Sequence, residues 1–177
     1  MLGHKVLKQH YQPASYRARD SLGYLVKRSH ALMHDMLEPV LAAQGFTFTQ
    51  YIVLAYVRDG IAINPKDFCA EFRHDSGALT RVIDQLAERR LLERARGVVD
   101  RRKVDLRLTE AGVQAVEGLI PIVVQRLNTV LAEFSSAEFA ELLRLLLKLN
   151  GSLQACLEGA TAGAVSGGAS GADEVQG

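Results

Sequence analysis

The densest run of chemistry-bearing side chains is Asp100-Arg101-Arg102-Lys103, three successive cations behind one carboxylate. Guanidinium groups are planar, permanently charged and fork-shaped, and suit phosphate oxygens or the enhanced negative potential of a narrow minor groove. Asp100 is consistent with that use, because a carboxylate can hold one arginine in place while its neighbour reaches outward. Arg94 and Arg96 lie on the preceding segment and add to the same positive surface, and Arg94 is expected, with Asp100, to organise the turn. A second group, Ser76, Gly77, Ala78, Thr80, Arg81, Asp84 and Gln85, interleaves with Leu79, Val82, Ile83 and Leu86. Those apolar positions form one stripe of a helix and leave the polar set on its free side. Such a helix can lie in a major groove. Its small first-turn residues admit close backbone approach, its positive dipole end favours phosphate, and Thr80 and Arg81 can reach bases or backbone. Taken singly, the two groups read as a solvated basic turn and an ordinary amphipathic surface helix; their adjacency favours binding to a polyanion.

Other candidate chemistry is sparser. His30 and His34 are spaced i, i+4 with Glu38 one turn further on, a spacing that can chelate zinc. No convincing further ligand stands nearby in sequence, so no metal site is expected, and a metal-responsive protein remains an alternative. Cys69 falls at an apolar register and reads as a buried small residue; Cys156 lies near the end of the last helix. Two cysteines make no disulfide framework, in keeping with a reducing compartment. There is no Gly-rich phosphate loop, nucleophile elbow or paired-carboxylate constellation, so neither an enzyme nor a cofactor is expected.

The elements that must position these residues follow from periodicity and capping signals. A first long helix is predicted over residues 20–43, carrying apolar residues at 3-4 spacing and ending before Gly45, with Pro39 bending its last turns. Thr47 and Gln50 form a capping-box pattern that opens a second helix to about residue 58. Asn64-Pro65 opens a short third one to about residue 72. Asp75 or Ser76 caps the fourth, through about residue 90. The period then changes to two: residues 91–96 and 103–108 read as strands joined by a turn-containing loop. Thr109 caps a fifth helix, and Ser135 with Glu138 caps a sixth. The last two are apolar on more than one face, which calls for burial against a partner chain.

The overall charge of +1 conceals a distribution: residues 1–72 balance at +2, residues 73–107 at +4 and residues 108–177 at −5. A basic middle with an acidic C-terminal part suits a polyanion-binding module joined to another kind of surface. No apolar run reaches the roughly 18 residues of a membrane span. The first twenty residues carry no apolar signal-peptide core, so a cytoplasmic location is expected. From Gly159 onward the Gly/Ala/Ser-rich sequence predicts a disordered tail.

The order helix, short helix, helix, hairpin is the winged helix-turn-helix arrangement, and here the residues resemble a known family. Asp100-Arg101-Arg102-Lys103-Val104-Asp105-Leu106-Arg107-Leu108-Thr109-Glu110-Ala111-Gly112 is similar to the D-x-R-x-x-x-L-x-L-T-x-x-G signature of the MarR family. Residues 76–86 resemble its recognition helix, Thr49-Gln50-Tyr51-x-x-Leu54 its second helix, and the match spans roughly residues 20–156. Two departures stand out: Arg89-Arg90-Leu91 occupies the place where the family usually has a glycine before the strand, and Gly77 weakens the first turn of the recognition helix. The resulting fold class is mostly α with a small β-hairpin wing, a winged helix-turn-helix plus a helical dimerisation region. Residues 1–45 are assigned to an N-terminal arm and first dimerisation helix, 46–109 to the DNA-binding domain, 110–157 to C-terminal dimerisation helices and 158–177 to the tail.

The resemblance implies an obligate homodimer on a pseudo-palindromic stretch of double-stranded DNA. It places Arg102 in the minor groove and makes Asp100 its structural partner. It further implies a repressor released by a small molecule, often an aromatic acid. Candidate ligand-binding residues are His30 and His34 on the first helix and Thr49 and Tyr51 on the second, with Arg28 and Arg73 to meet a carboxylate. A winged-helix module for protein assembly, its wing on an acidic partner, is the alternative from another class.

Overall fold

A computed structural model of the chain describes residues 9–64, 67–68, 76–96 and 104–166. Its elements are α1 (Leu22–Ala42), α2 (Phe48–Asp59), α3 (Ser76–Glu88), strands β1 (Leu92–Arg96) and β2 (Val104–Leu108), α4 (Glu110–Leu131) and α5 (Ser136–Ser166). Two short 3-10 turns, Pro13–Ser15 and Ala18–Asp20, precede α1. Of the short helix predicted after Asn64, Asp67 and Phe68 are helical, and the Asn64 side chain accepts the Asp67 N–H at 3.0 Å as an N-cap does. The rest of that helix and the loop between the strands lie outside the described residues.

The caps form as the sequence dictates. Ser21 accepts from the Tyr24 N–H, Thr47 and Gln50 close a reciprocal capping box, and Ser135 and Glu138 do the same before α5. Each supplies acceptors to N–H groups that have no partner within their own helix. The Ser135 donors also hold the Glu138 carboxyl below its ordinary range. Helix α1 continues through Pro39 to Ala42. Helix α5 runs to Ser166, past the boundary at residue 158 where a tail is expected. Ala155 and Ala160 favour propagation of a helix already nucleated, whereas Gly159 opposes it.

By its packing the chain divides into two compact units, residues 1–127 and 128–177. The first holds two joined apolar clusters. Val53, Leu54 and Val57 of α2, Leu79, Ile83 and Leu86 of α3, Leu92, Leu106 and Val116 surround Phe68. Leu37 and Leu41 of α1 meet Leu119 and Val123 of α4 in the second. The strands pair antiparallel with Arg94 opposite Leu106, and the Leu106 N–H also donates to the Ile63 carbonyl at 2.6 Å. In the second unit, Phe139, Leu142, Leu143, Leu146 and Leu147 are all exposed in the single chain. Leu22, Tyr24, Leu25 and Val26, in the first turns of α1, are likewise exposed.

Candidate functional site

Helix α3 buries Leu79, Ile83 and Leu86 and leaves Gly77, Ala78, Thr80, Arg81 and Gln85 exposed. The polar face expected to read DNA is therefore the outward one; the side chain of Ser76 lies outside the described residues. Two of its members have other duties. Asp84, read from the sequence as part of the free side, forms an ion pair with Arg94 of β1. Gln85 is exposed, but its side-chain oxygen accepts from the Gln50 amide at 3.1 Å, which ties it to α2.

Strand parity explains the Arg94 contact. In the observed register Leu92, Arg94, Leu106 and Leu108 share one face of the hairpin, since alternate residues point the same way and directly paired residues lie side by side. Leu92 and Leu106 are buried in the cluster that includes α3, so Arg94 is presented to that helix. The observed partner of Arg94, which the sequence reading takes with Asp100 as an organiser of the turn, is Asp84 of α3. Asp100, Arg101, Arg102, Lys103 and Arg73 lie outside the described residues.

The junction between α3 and the hairpin carries Arg90 where the family resemblance implies a glycine, and it closes as a regular helix C-terminus. Arg90 adopts φ 56°, in the left-handed region. The Arg90 N–H donates to the Ala87 carbonyl and the Leu91 N–H to the Leu86 carbonyl, both at 2.9 Å, the Schellman pattern that closes a helix. Gly45 and Gly60 close α1 and α2 in the same way, at φ 78° and 68°. Arginine thus stands where a glycine would be unstrained.

Thr109 locks this turn to α4. Its hydroxyl donates to the Arg90 carbonyl at 2.6 Å and accepts the Gly112 N–H at 3.0 Å, while its own N–H donates to the Leu91 carbonyl at 3.1 Å. Gly112 is required sterically: a Cβ there would lie 2.0 Å from the Leu91 carbonyl oxygen. The T-x-x-G spacing is thereby accounted for, a role that no periodicity signalled. Arg89 adds a second tie, donating to the Gly45 carbonyl at 3.0 Å and lying 4.2 Å from the centre of the Phe46 ring.

A cavity of about 580 Å³ opens among α1, α2 and α4. Four of the six proposed ligand-contacting residues, His30, His34, Thr49 and Tyr51, line it; Arg28 is not among its lining residues. Met33, Leu37, Phe48, Ile52, Tyr56, Val123 and Leu127 complete the wall. Both imidazoles sit edge-on to the Phe48 ring, at 6.3 and 5.2 Å between centres. Burial raises the Tyr51 phenol above its ordinary range, partly offset by nearby Arg58, so it stays a hydroxyl. The zinc reading of His30 and His34 finds no third ligand: Glu38 accepts the Phe48 N–H at 2.6 Å, and no group of three His, Cys, Asp or Glu able to hold a metal occurs among the described residues. No single helix among them is long and apolar enough to cross a membrane.

Comparison with known proteins agrees with this geometry. The sequence profile of the MarR family matches residues 44–103. The multiple antibiotic resistance protein MarR of Escherichia coli is 30% identical over 127 residues, covering 72% of this chain and 88% of that protein. The crystal structure of a cysteine-to-serine mutant of MarR from that organism, complexed with operator DNA, superposes with a TM-score of 0.61 at 29% identity, over 72% of this chain and 92% of that one. BpsR of Bordetella bronchiseptica, whose structure concerns regulation of DNA binding by 6-hydroxynicotinic acid, gives 0.64 at 27% identity, over 76% and 96%.

Proposed function

Since the chain belongs to the MarR family of winged helix-turn-helix transcriptional regulators, we propose that it is a homodimeric repressor that a small molecule releases from a pseudo-palindromic operator. The observation that carries this reading is the outward polar face of α3, held beside the hairpin by the Arg94–Asp84 ion pair. In this reading Ser76, Gly77, Ala78, Thr80 and Arg81 meet the major groove. Arg101, Arg102 and Lys103 meet the adjoining backbone and minor groove, with Arg102 inserted. Gln85 contributes less than the sequence suggests, because its oxygen is engaged by Gln50. Dimerisation is supported by the apolar side chains left exposed on α1 and α5, a surface that isolated soluble chains seldom leave uncovered.

Release by a ligand is supported by the two faces of α2. Thr49, Ile52 and Tyr56 line the cavity, while Gln50, Val53, Leu54 and Val57 on the opposite face pack towards α3 and the hairpin. A ligand that displaces α2 therefore displaces the recognition helix, and its binding energy differs between the DNA-competent and incompetent states. Gel-shift selection from genomic fragments tests the proposal. A specific complex that survives moderate salt is expected, and the ligand that lowers operator affinity is sought among small aromatic molecules. If no duplex is bound specifically even at low salt, the wing serves a protein partner instead.

A further inference from the structure

A glutamine amide has one end that accepts and one that donates, and its neighbours decide which end faces where. Gln50 is buried, and its side-chain oxygen accepts the Thr47 N–H at 3.1 Å and a guanidinium N–H of Arg89 at 3.4 Å. Both of those groups can only donate, so the Gln50 oxygen must face them and its NH2 must face α3. There it donates to the side-chain oxygen of Gln85 at 3.1 Å. The end of Gln85 not held by α2 is therefore its NH2. We propose that Gln85 meets DNA as a hydrogen-bond donor only, and that Gln50 is the positioning residue that fixes this polarity. This rests on the reading that the outward face of α3 enters the major groove.

Gln85 is exposed and stands one turn beyond Arg81 on that face. An unrestrained glutamine there could pair with adenine through both ends, its oxygen to N6 and its NH2 to N7. With the oxygen engaged by Gln50, that bidentate pair is closed to it. Turning the Gln85 amide over would set two NH2 groups face to face, which loses one hydrogen bond and leaves donors unpaired. What Gln85 can meet is an acceptor: a phosphate oxygen, a purine N7, guanine O6 or thymine O4. Cytosine, whose major-groove group is a donor, is disfavoured. The Thr47–Gln50 capping box thus does more than start α2; through Gln85 it orients a donor on the recognition helix.

Gln50→Glu inverts this polarity without altering α3. Glutamate accepts from Thr47 and Arg89 as glutamine does, but it offers Gln85 an oxygen, so Gln85 turns its NH2 inward and its own oxygen towards DNA. Full-length wild type, Gln50→Glu, Gln85→Ala and the double variant are titrated against an operator selected with the wild type and against random duplex, at one salt concentration. Each single variant is expected to lose about tenfold or more in operator affinity. In the Gln85→Ala background, Gln50→Glu should cost less than about twofold. A loss confined to the operator assigns the acceptor to a base; an equal loss on random duplex assigns it to phosphate. Unchanged operator affinity in either single variant overturns the proposal. So does a Gln50→Glu loss that is the same with and without Gln85, which would mean that the added charge alone weakens binding. A check on the wild type is independent of how any variant folds: the Gln85 side-chain NH2 resonances should shift when operator is added, and resonances that stay in place would equally overturn the proposal. Arg81→Ala on the same operator separates the two readings. If Arg81→Ala loses affinity and Gln85→Ala does not, only the role of Gln85 fails; if neither does, α3 is not the helix that meets the groove.

Discussion

Arg90 closes α3 in a backbone conformation that costs an L-residue about 1–2 kcal/mol relative to glycine, and the chain keeps it. The sequence reveals that the usual glycine is missing. It does not reveal that the turn survives, because survival depends on partners distant in sequence. The Thr109 hydroxyl holds the Arg90 carbonyl, and the Leu91 carbonyl is pinned between the Thr109 N–H and Gly112. Arg90→Gly is therefore expected to stabilise the fold by about 0.5–1 kcal/mol, the relief of strain less the added freedom of the unfolded chain. Thermal or urea denaturation reads this, and an unchanged or lower midpoint would mean that Arg90 makes compensating contacts. Gly112→Ala acts in the opposite direction. A Cβ 2.0 Å from a backbone oxygen forces α4 away from the turn, with an expected loss of about 2–3 kcal/mol in the same measurement. A variant as stable as the parent would refute the assigned role of that glycine.

At the scale of elements, helices α2 and α3 were legible because their capping signals and apolar stripes agree, and the hairpin because Val104, Leu106 and Leu108 alternate with charged residues. Which residues the hairpin presents to α3 was not legible. That depends on the register between strands, which fixes Arg94 beside Leu106 and opposite Asp84. The same limit applied to the cavity. The family resemblance nominates His30, His34, Thr49 and Tyr51, whereas only the packing of the helices shows that these four line one cavity and that Arg28 is not among its lining residues. The Arg94 and Asp84 side chains are 50% and 45% exposed, so solvent screens their pair and its contribution to stability is below about 1 kcal/mol. Its expected importance lies in fixing the wing against the recognition helix. Arg94→Ala and Asp84→Ala should each leave the melting temperature nearly unchanged while weakening operator binding. The double variant should be no weaker than Arg94→Ala alone. Fully additive losses would mean that the two residues act on DNA independently.

For the molecule as a whole, the second unit presents Leu143 and Leu147 at 46% and 72% exposure in the single chain. Residues so exposed contribute little to the fold of one subunit, so charges placed there report on association alone. Leu143→Glu/Leu147→Glu is expected to yield a folded monomer by light scattering coupled to size exclusion, with helix content preserved. A dimer of unchanged stability would place the interface elsewhere. The most direct test of the account is a titration of wild-type protein and Arg102→Ala against an operator selected from genomic DNA and against random duplex, at one fixed salt concentration. One dimer per palindrome is predicted, with wild type preferring the operator by about 10³-fold or more and Arg102→Ala losing about 1–3 kcal/mol of operator affinity. Equal binding to operator and random duplex, or an Arg102→Ala curve that overlies the wild type, would contradict it.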